Sequence, residues 1–302
     1  MHDESSAHDI QLGDFCLSVI SDGTFWLDGG AVFGVVPRQL WQQVAPPDSY
    51  NRVRLGLNTL LVRTGDYTVL IDTGIGDKWD QKHRAMYGIS NSPTLLDGLR
   101  QRGVAPEDVD LVINTHLHFD HCGWNTRVVD GMLRPTFPRA RYVVQRGEYE
   151  HANQPHERDR ASYRAENWAG LEASGQLELI EGDQQVLPGI HVMKLGGHNR
   201  DFQCVLIQSC GRTAIFWSDL IPMTPHVQLP WIMAFDLYPE QTLMHKKRLI
   251  PQAAREGWLC VFHHDAAMPV GTIVEENGKY VVRSLTSESG MQKGDSLLTP
   301  GS

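Results

Sequence analysis

No apolar run in this 302-residue chain approaches the roughly 20 residues that a membrane-spanning helix needs, so no membrane role is expected. The opening stretch MHDESSAHDIQLGDF has neither a basic start nor an apolar segment, and it does not read as a secretory signal. Positive charge is in deficit: 27 Lys and Arg stand against 36 Asp and Glu, a net charge of −9. Nucleic acid and anionic lipid surfaces both reward clustered basic residues, so neither is an expected partner. The five cysteines are odd in number and show no C-x-x-C spacing. That argues against a disulfide framework and for a reducing, cytoplasmic setting. Three catalytic signatures are also missing. There is no G-x-S-x-G nucleophile elbow, no G-x-x-x-x-G-K-[ST] phosphate loop, and no G-x-G-x-x-G run in a strand–helix setting.

What is present is a series of short β-type runs. FCLSVISDG reads as a strand entering a turn at Asp22-Gly23, and residues 29–56 read as a long loop with one short helix near Arg38–Val44. LNTLLVRTGDYTVLIDTG is a hairpin around Gly65-Asp66. Residues 92–102 suggest a helix capped by Ser92 with Pro93 at its first position, and DVDLVINT a buried strand. RARYVVQRGEYEHA reads as a strand and a helix start, and residues 151–170 as a charged helical insertion at the surface. Later, QCVLIQSCGRTAIFWSD repeats the strand–Gly turn–strand–Asp plan of NTLLVRTGDYTVLID, which suggests two similar β-rich halves packed together. PEQTLMHKKRLIPQAAREG is an amphipathic helix stopped by Gly257, WLCVF a last core strand, and the C-terminal tail is expected to fray. No linker divides the chain, so one domain over residues 1–302 is expected, with its core at about 10–285.

Chemistry concentrates where these strands end. NTHLHFDHCGWN places His116, His118, Asp120 and His121 on one loop. Asp72, Asp219 and the pair His263-His264 directly follow other strands, and His198 follows one through Gly196-Gly197. In layered α/β folds, strand ends are where distant parts of the chain assemble a site. Imidazole nitrogen and carboxylate oxygen are ligands for borderline divalent metals such as zinc. His116 and His118 can face one ion and Asp120 and His121 another, with Asp219 as a bridge. Cys122 adjoins the cluster but reads as a small packed residue. His151 and His156 read as solvated, and His191 as structural. Trp26 and Trp231 are candidates for an aromatic wall of a substrate pocket.

The motif THLHFDHCG resembles the signature of the metallo-β-lactamase fold superfamily, and GGH at His198, SD at Asp219 and HHD at His264 follow in the matching order. More narrowly, SDGTFWLDGG, ERDRASYRAENW and SDLIPMTPHVQLPW resemble the quorum-quenching lactonase-like branch, which is similar to methyl parathion hydrolase. The resemblance implies an α/β fold, a four-layer αββα sandwich. It implies two divalent metal ions, zinc first, with iron, manganese or cobalt as alternatives. It puts His116, His118 and His198 on the first ion, Asp120, His121 and His264 on the second, and Asp219 between them. The last ligand follows from a family pattern of His followed directly by Asp, with His263 as runner-up. Asp72 matches the family's acid that orients a ligand. The implied activity opens a small-molecule lactone or ester with a hydroxide shared by the two ions, Asp120 orienting it; a homodimer is compatible with it. The family often carries a Tyr where Pro222 stands here, so His226 is considered as its substitute. The rival reading is an aryl ester or organophosphate hydrolase, and a more distant one is a metal-binding protein without turnover.

Overall fold

A computed structural model describes residues 9–285; the tail expected to fray, from Ser287 onward, lies outside the described residues. The first half builds a sheet from β1 (Ile10–Leu12), β2 (Phe15–Asp28), β3 (Arg52–Arg63), β4 (Thr68–Ile71) and β5 (Leu111–Ile113). A separate hairpin of β6 (Thr126–Val129) and β7 (Met132–Pro135) intervenes, and β8 (Arg141–Gln145) and β9 (Leu177–Ile180) then complete the sheet. The second half builds another from β10 (Gln184–Leu187), β11 (Ile190–Lys194), β12 (Gln203–Ser209), β13 (Arg212–Phe216), β14 (Leu259–Val261), β15 (Val270–Glu276) and β16 (Lys279–Ser284). The helices are α1 (Gly29–Phe33), α2 (Arg38–Trp41), α3 (Gln81–Tyr87), α4 (Leu95–Gln101), α5 (Arg146–Asn153), α6 (Ala169–Ala173) and α7 (Pro239–Glu256).

Side-chain alternation explains the four layers. Leu60, Val62, Val69, Ile71 and Ile113 of the first sheet meet Val205, Ile207, Phe216 and Val261 of the second in one core. Their neighbours Leu61, Leu70 and Val112 point the other way, onto Leu95 and Leu99 of α4. Ile215 and Cys260 likewise turn outward onto Leu249, Ile250 and Ala253 of α7. Successive strand residues face opposite sides, so strands apolar at every position must be covered on both faces. The result is an αββα sandwich.

The internal repeat has a structural counterpart. The hairpin β3–β4 is continued by parallel β5, and the hairpin β12–β13 by parallel β14. The C-terminal ends of β4, β5, β13 and β14, with that of β11 for His198, carry the residues that the sequence singled out.

Several local expectations change. The chain does not turn at Asp22-Gly23: β2 runs on to Asp28 through an irregularity between Ser21 and Thr24. Helix α4 is capped by Thr94, whose hydroxyl accepts from the Asp97 amide while the Asp97 carboxylate accepts from the Thr94 amide, not by Ser92. Residues 151–170 are not a surface helix. Between the end of α5 and the start of α6 they form short turns that bury Asp159, Tyr163, Asn167 and Trp168, because this segment packs down beside the histidine loop. Phe119 N donates to Ser162 O at 2.8 Å, which ties the two together.

Candidate active site

Each histidine of the cluster is oriented by what its Nδ1 meets. The Thr115 hydroxyl donates to Asp72 Oδ2 at 2.8 Å, which leaves its lone pairs for His116 Nδ1 at 3.1 Å and Ser218 Oγ at 2.8 Å. His121 Nδ1 lies 2.9 Å from Asp72 Oδ2, His198 Nδ1 2.9 Å from Asp236 Oδ1, and His264 Nδ1 2.9 Å from Gly56 O. An imidazole that donates from Nδ1 offers the lone pair of Nε2. Four rings therefore present Nε2 inward. His118 differs: its Nδ1 lies 3.0 Å from His198 Nε2.

These nitrogens converge on Asp219. Its Oδ2 lies 3.0 Å from His198 Nε2 and 3.7 Å from His116 Nε2, while Oδ1 lies 3.2 Å from His264 Nε2 and 3.5 Å from His121 Nε2. One carboxylate thus faces two separate sets of imidazoles. Asp120 joins the second set, its Oδ2 3.6 Å from His264 Nε2 and its Oδ1 4.0 Å from His121 Nε2. Ligand atoms of His116, His118, His198 and Asp219 lie within 4.8 Å of one another, as do those of His121, His263 and His264. His263 is turned elsewhere: Nδ1 meets Asn58 O at 2.8 Å, Nε2 faces the Asp120 carbonyl, and the ring stacks on His121.

Burial makes this arrangement costly unless a cation joins it. His116 Nε2, His118 Nε2, His121 Nε2 and Asp219 Oδ1 are buried without a hydrogen-bond partner among the described residues. Such groups are rare in folded proteins and need a reason. Burial and neighbouring imidazoles hold His116 and His118 well below the ordinary histidine value. Burial also opposes charge on His121, but Asp219 and Asp120 outweigh it and push it well above. Burial would raise Asp219, yet His121, His198 and His264 hold it well below the ordinary carboxylate range. Clustered lone pairs with one shared carboxylate are the donor set of a divalent metal centre.

Above these groups opens a cavity of about 360 Å³. His118, Asp120, His198, Asp219 and His264 form its floor, and Leu27, Val32, Leu55, Phe119, Met233 and Leu237 much of its wall. Three expected substrate residues are not among the side chains that line it. Trp26 packs beside Arg52, Trp231 stands edge-on to Phe33, and His226 is buried, stacked 4.9 Å from Phe33 with its Nε2 3.0 Å from Val32 O. Pro222 does line the cavity, and the hydroxyl-bearing side chains of the lining are Tyr87 and Ser162. Cys122 is buried with its Sγ near the Leu117 and His118 carbonyls, outside the ligand groups.

Sequence reasoning missed Asp236. It orients His198 and accepts from Thr242 Oγ1 at 2.6 Å. The only signal was an Asp shortly before an amphipathic helix. It also missed Glu148, which accepts from Leu117 N at 2.8 Å and is pushed up to about 7 by burial.

An αββα sandwich with such a ligand set at its strand ends defines the class: a fold built around a candidate metal centre. The chain belongs to the metallo-β-lactamase superfamily, whose family model matches residues 53–264. It is 27% identical over 170 residues to an N-acyl homoserine lactonase of Bacillus cereus, across 53% of this chain and 61% of that one, so the chain spans about three fifths of that relative. A solved structure of a probable metal-dependent hydrolase from Staphylococcus aureus superposes with a TM-score of 0.84 at 29% identity, over 92% of this chain and all of that one. AidC, a dizinc quorum-quenching lactonase, shares the fold with a TM-score of 0.75 at 19% identity, over 92% of this chain and 97% of its own.

Proposed function

We propose that this protein is a metal-dependent hydrolase that opens lactones, or cleaves small esters, that carry an apolar arm, with N-acyl homoserine lactones among the candidates. One divalent ion, zinc first, would be held by His116, His118 and His198 and a second by Asp120, His121 and His264, with Asp219 reaching both. When bound, such a pair polarises a carbonyl and acidifies water. Asp120 would take the proton of the attacking water on its carboxylate and return it to the leaving alkoxide oxygen. The apolar wall would exclude bulk water and hold the acyl arm. His264 is favoured over His263 because its Nε2 faces both carboxylates.

The observation that carries this reading is the cavity itself, a floor of imidazoles and carboxylates under an apolar wall. Pro222 on the lining favours one rival, an aryl ester or organophosphate hydrolase, since lactonases of this branch often carry a Tyr there. The test is elemental analysis of the purified protein, followed by rates on lactones, aryl esters and phosphotriesters. Two equivalents of metal with lactones turned over fastest is the expected result. At most one equivalent after reconstitution would overturn the two-ion assignment, and faster phosphotriester turnover the substrate assignment.

A further inference from the structure

Away from the hydrolytic centre, a second set of metal-ligating side chains comes together at the end of α5. His151 Nε2 lies 2.6 Å from Asp159 Oδ2, and His156 Nδ1 lies 3.0 Å from Asp159 Oδ1. Ligand atoms of the three residues lie within 4.8 Å of one another. The Asp159 side chain is only 7% exposed, and its Oδ1 has no hydrogen-bond partner among the described residues. His156 stands at contact distance from that oxygen but out of line for a hydrogen bond. A buried carboxylate oxygen left so is costly, and a cation beside it removes the cost.

We propose that His151, His156 and Asp159 bind a further divalent cation of the zinc class. Two imidazole nitrogens and one carboxylate oxygen are a common zinc set that leaves a coordination position for water. A cavity of about 230 Å³, lined by His151, His156 and Glu150, gives room for that water and a route of entry. His156 is 46% exposed, so the ion exchanges with solvent more readily than one in the buried centre.

The position gives the ion a consequence. Asp159 lines the hydrolytic cavity too, together with Arg158, Ala161 and Ser162. Arg158 donates to Ala234 O at 2.8 Å, which straps this segment across to the opposite wall. A cation at Asp159 therefore pins the wall to α5.

The experiment compares wild type with H156A, which removes a side chain that is 46% exposed, and with D159N. Each is equilibrated with zinc buffered at rising free concentrations and analysed for bound zinc, and its melting temperature is recorded. The expected result is that wild type takes up one equivalent more than either variant, and that zinc raises its melting temperature further. Equal zinc content in wild type and H156A at every concentration would overturn the proposal. So would loss of the equivalent in H156A but not in D159N, which marks a lone surface histidine. The difference between proteins is read whatever the total. A wild-type total that is low by one ion, with the difference intact, counts against the two-ion centre and not against this site.

Discussion

At the scale of single residues, the site depends on groups that never touch a substrate. Asp236 fixes the ring of His198 from a loop 38 positions further along the chain. Loss of such an orienting carboxylate weakens metal binding by about 10–100-fold, so Asp236→Asn should lower metal affinity while leaving the fold intact, as competition with a chelator would measure. Asp219→Ala should lower the content of both ions and abolish activity, because both imidazole sets face it. Cys122→Ala should leave metal content unchanged. A Cys122 variant that lost metal while the Asp219 variant kept it would refute the ligand set. The pH dependence has a definite sign. Without metal, His121 titrates above its ordinary 6.5 and Asp219 below its ordinary 3.8, so their stabilising charge pair is fully present between those values. Its contribution is lost as pH rises through the raised His121 value, and metal must displace that same proton. Metal uptake by the metal-free protein near neutral pH should therefore release protons, seen as a binding enthalpy that varies with the buffer. Uptake without release would contradict the charged state of His121. The histidine cluster was legible in the sequence because its spacing lies on one loop. Asp236 was not, because its role exists only once the chain folds back onto His198.

At the scale of elements, the site sits where two hairpins of the same plan end side by side. Asp72 and Ser218, one after each hairpin, both adopt positive φ, at 55° and 46°. That left-handed backbone is uncommon for residues with side chains, and here the surrounding hydrogen bonds of Thr115 hold it in place. The repeated hairpins were readable from their apolar runs and turn residues, whereas the αββα layering was implied by the family resemblance. Strands β9, β10, β15 and β16, at or next to the sheet edges, were not readable, since their partly exposed patterns carry no continuous apolar run. Nor was the path of residues 151–170, whose charged composition concealed five buried residues. Helix α4 offers a test of how closely the layers pack. Gly98 sits inside it, and a Cβ there would come within 2.3 Å of Ile20 Cγ2 on β2. Alanine would gain about 1 kcal/mol of helix propensity, but forcing a branched core side chain aside costs about 1–3 kcal/mol. Gly98→Ala should therefore be neutral to destabilising in a denaturant melt. A clear stabilisation would show that this contact yields freely.

At the scale of the whole molecule, selectivity must come from the cavity between the two halves, because the polar floor would act on any sufficiently activated carbonyl. The wall joins β2, α1, the histidine loop, the 158–162 segment and the 233–237 loop, so it belongs to no single element. Trp26 and Trp231 were candidate wall residues from their chemistry, yet the lining is made by other side chains, Leu27, Val32 and Phe119 among them. An aliphatic wall of this kind rewards an acyl arm by area. Each buried methylene contributes about 0.8 kcal/mol, and four of them, wholly buried, should raise kcat/KM by about two orders of magnitude. Rates on lactones of increasing acyl length, measured against an aryl phosphotriester on the same preparation, test this directly. The expected profile climbs with chain length until the cavity is filled, and the lactones outpace the phosphotriester. A flat profile with faster phosphotriester turnover would mean that the wall does not hold the acyl arm, and that the cavity serves a different leaving group.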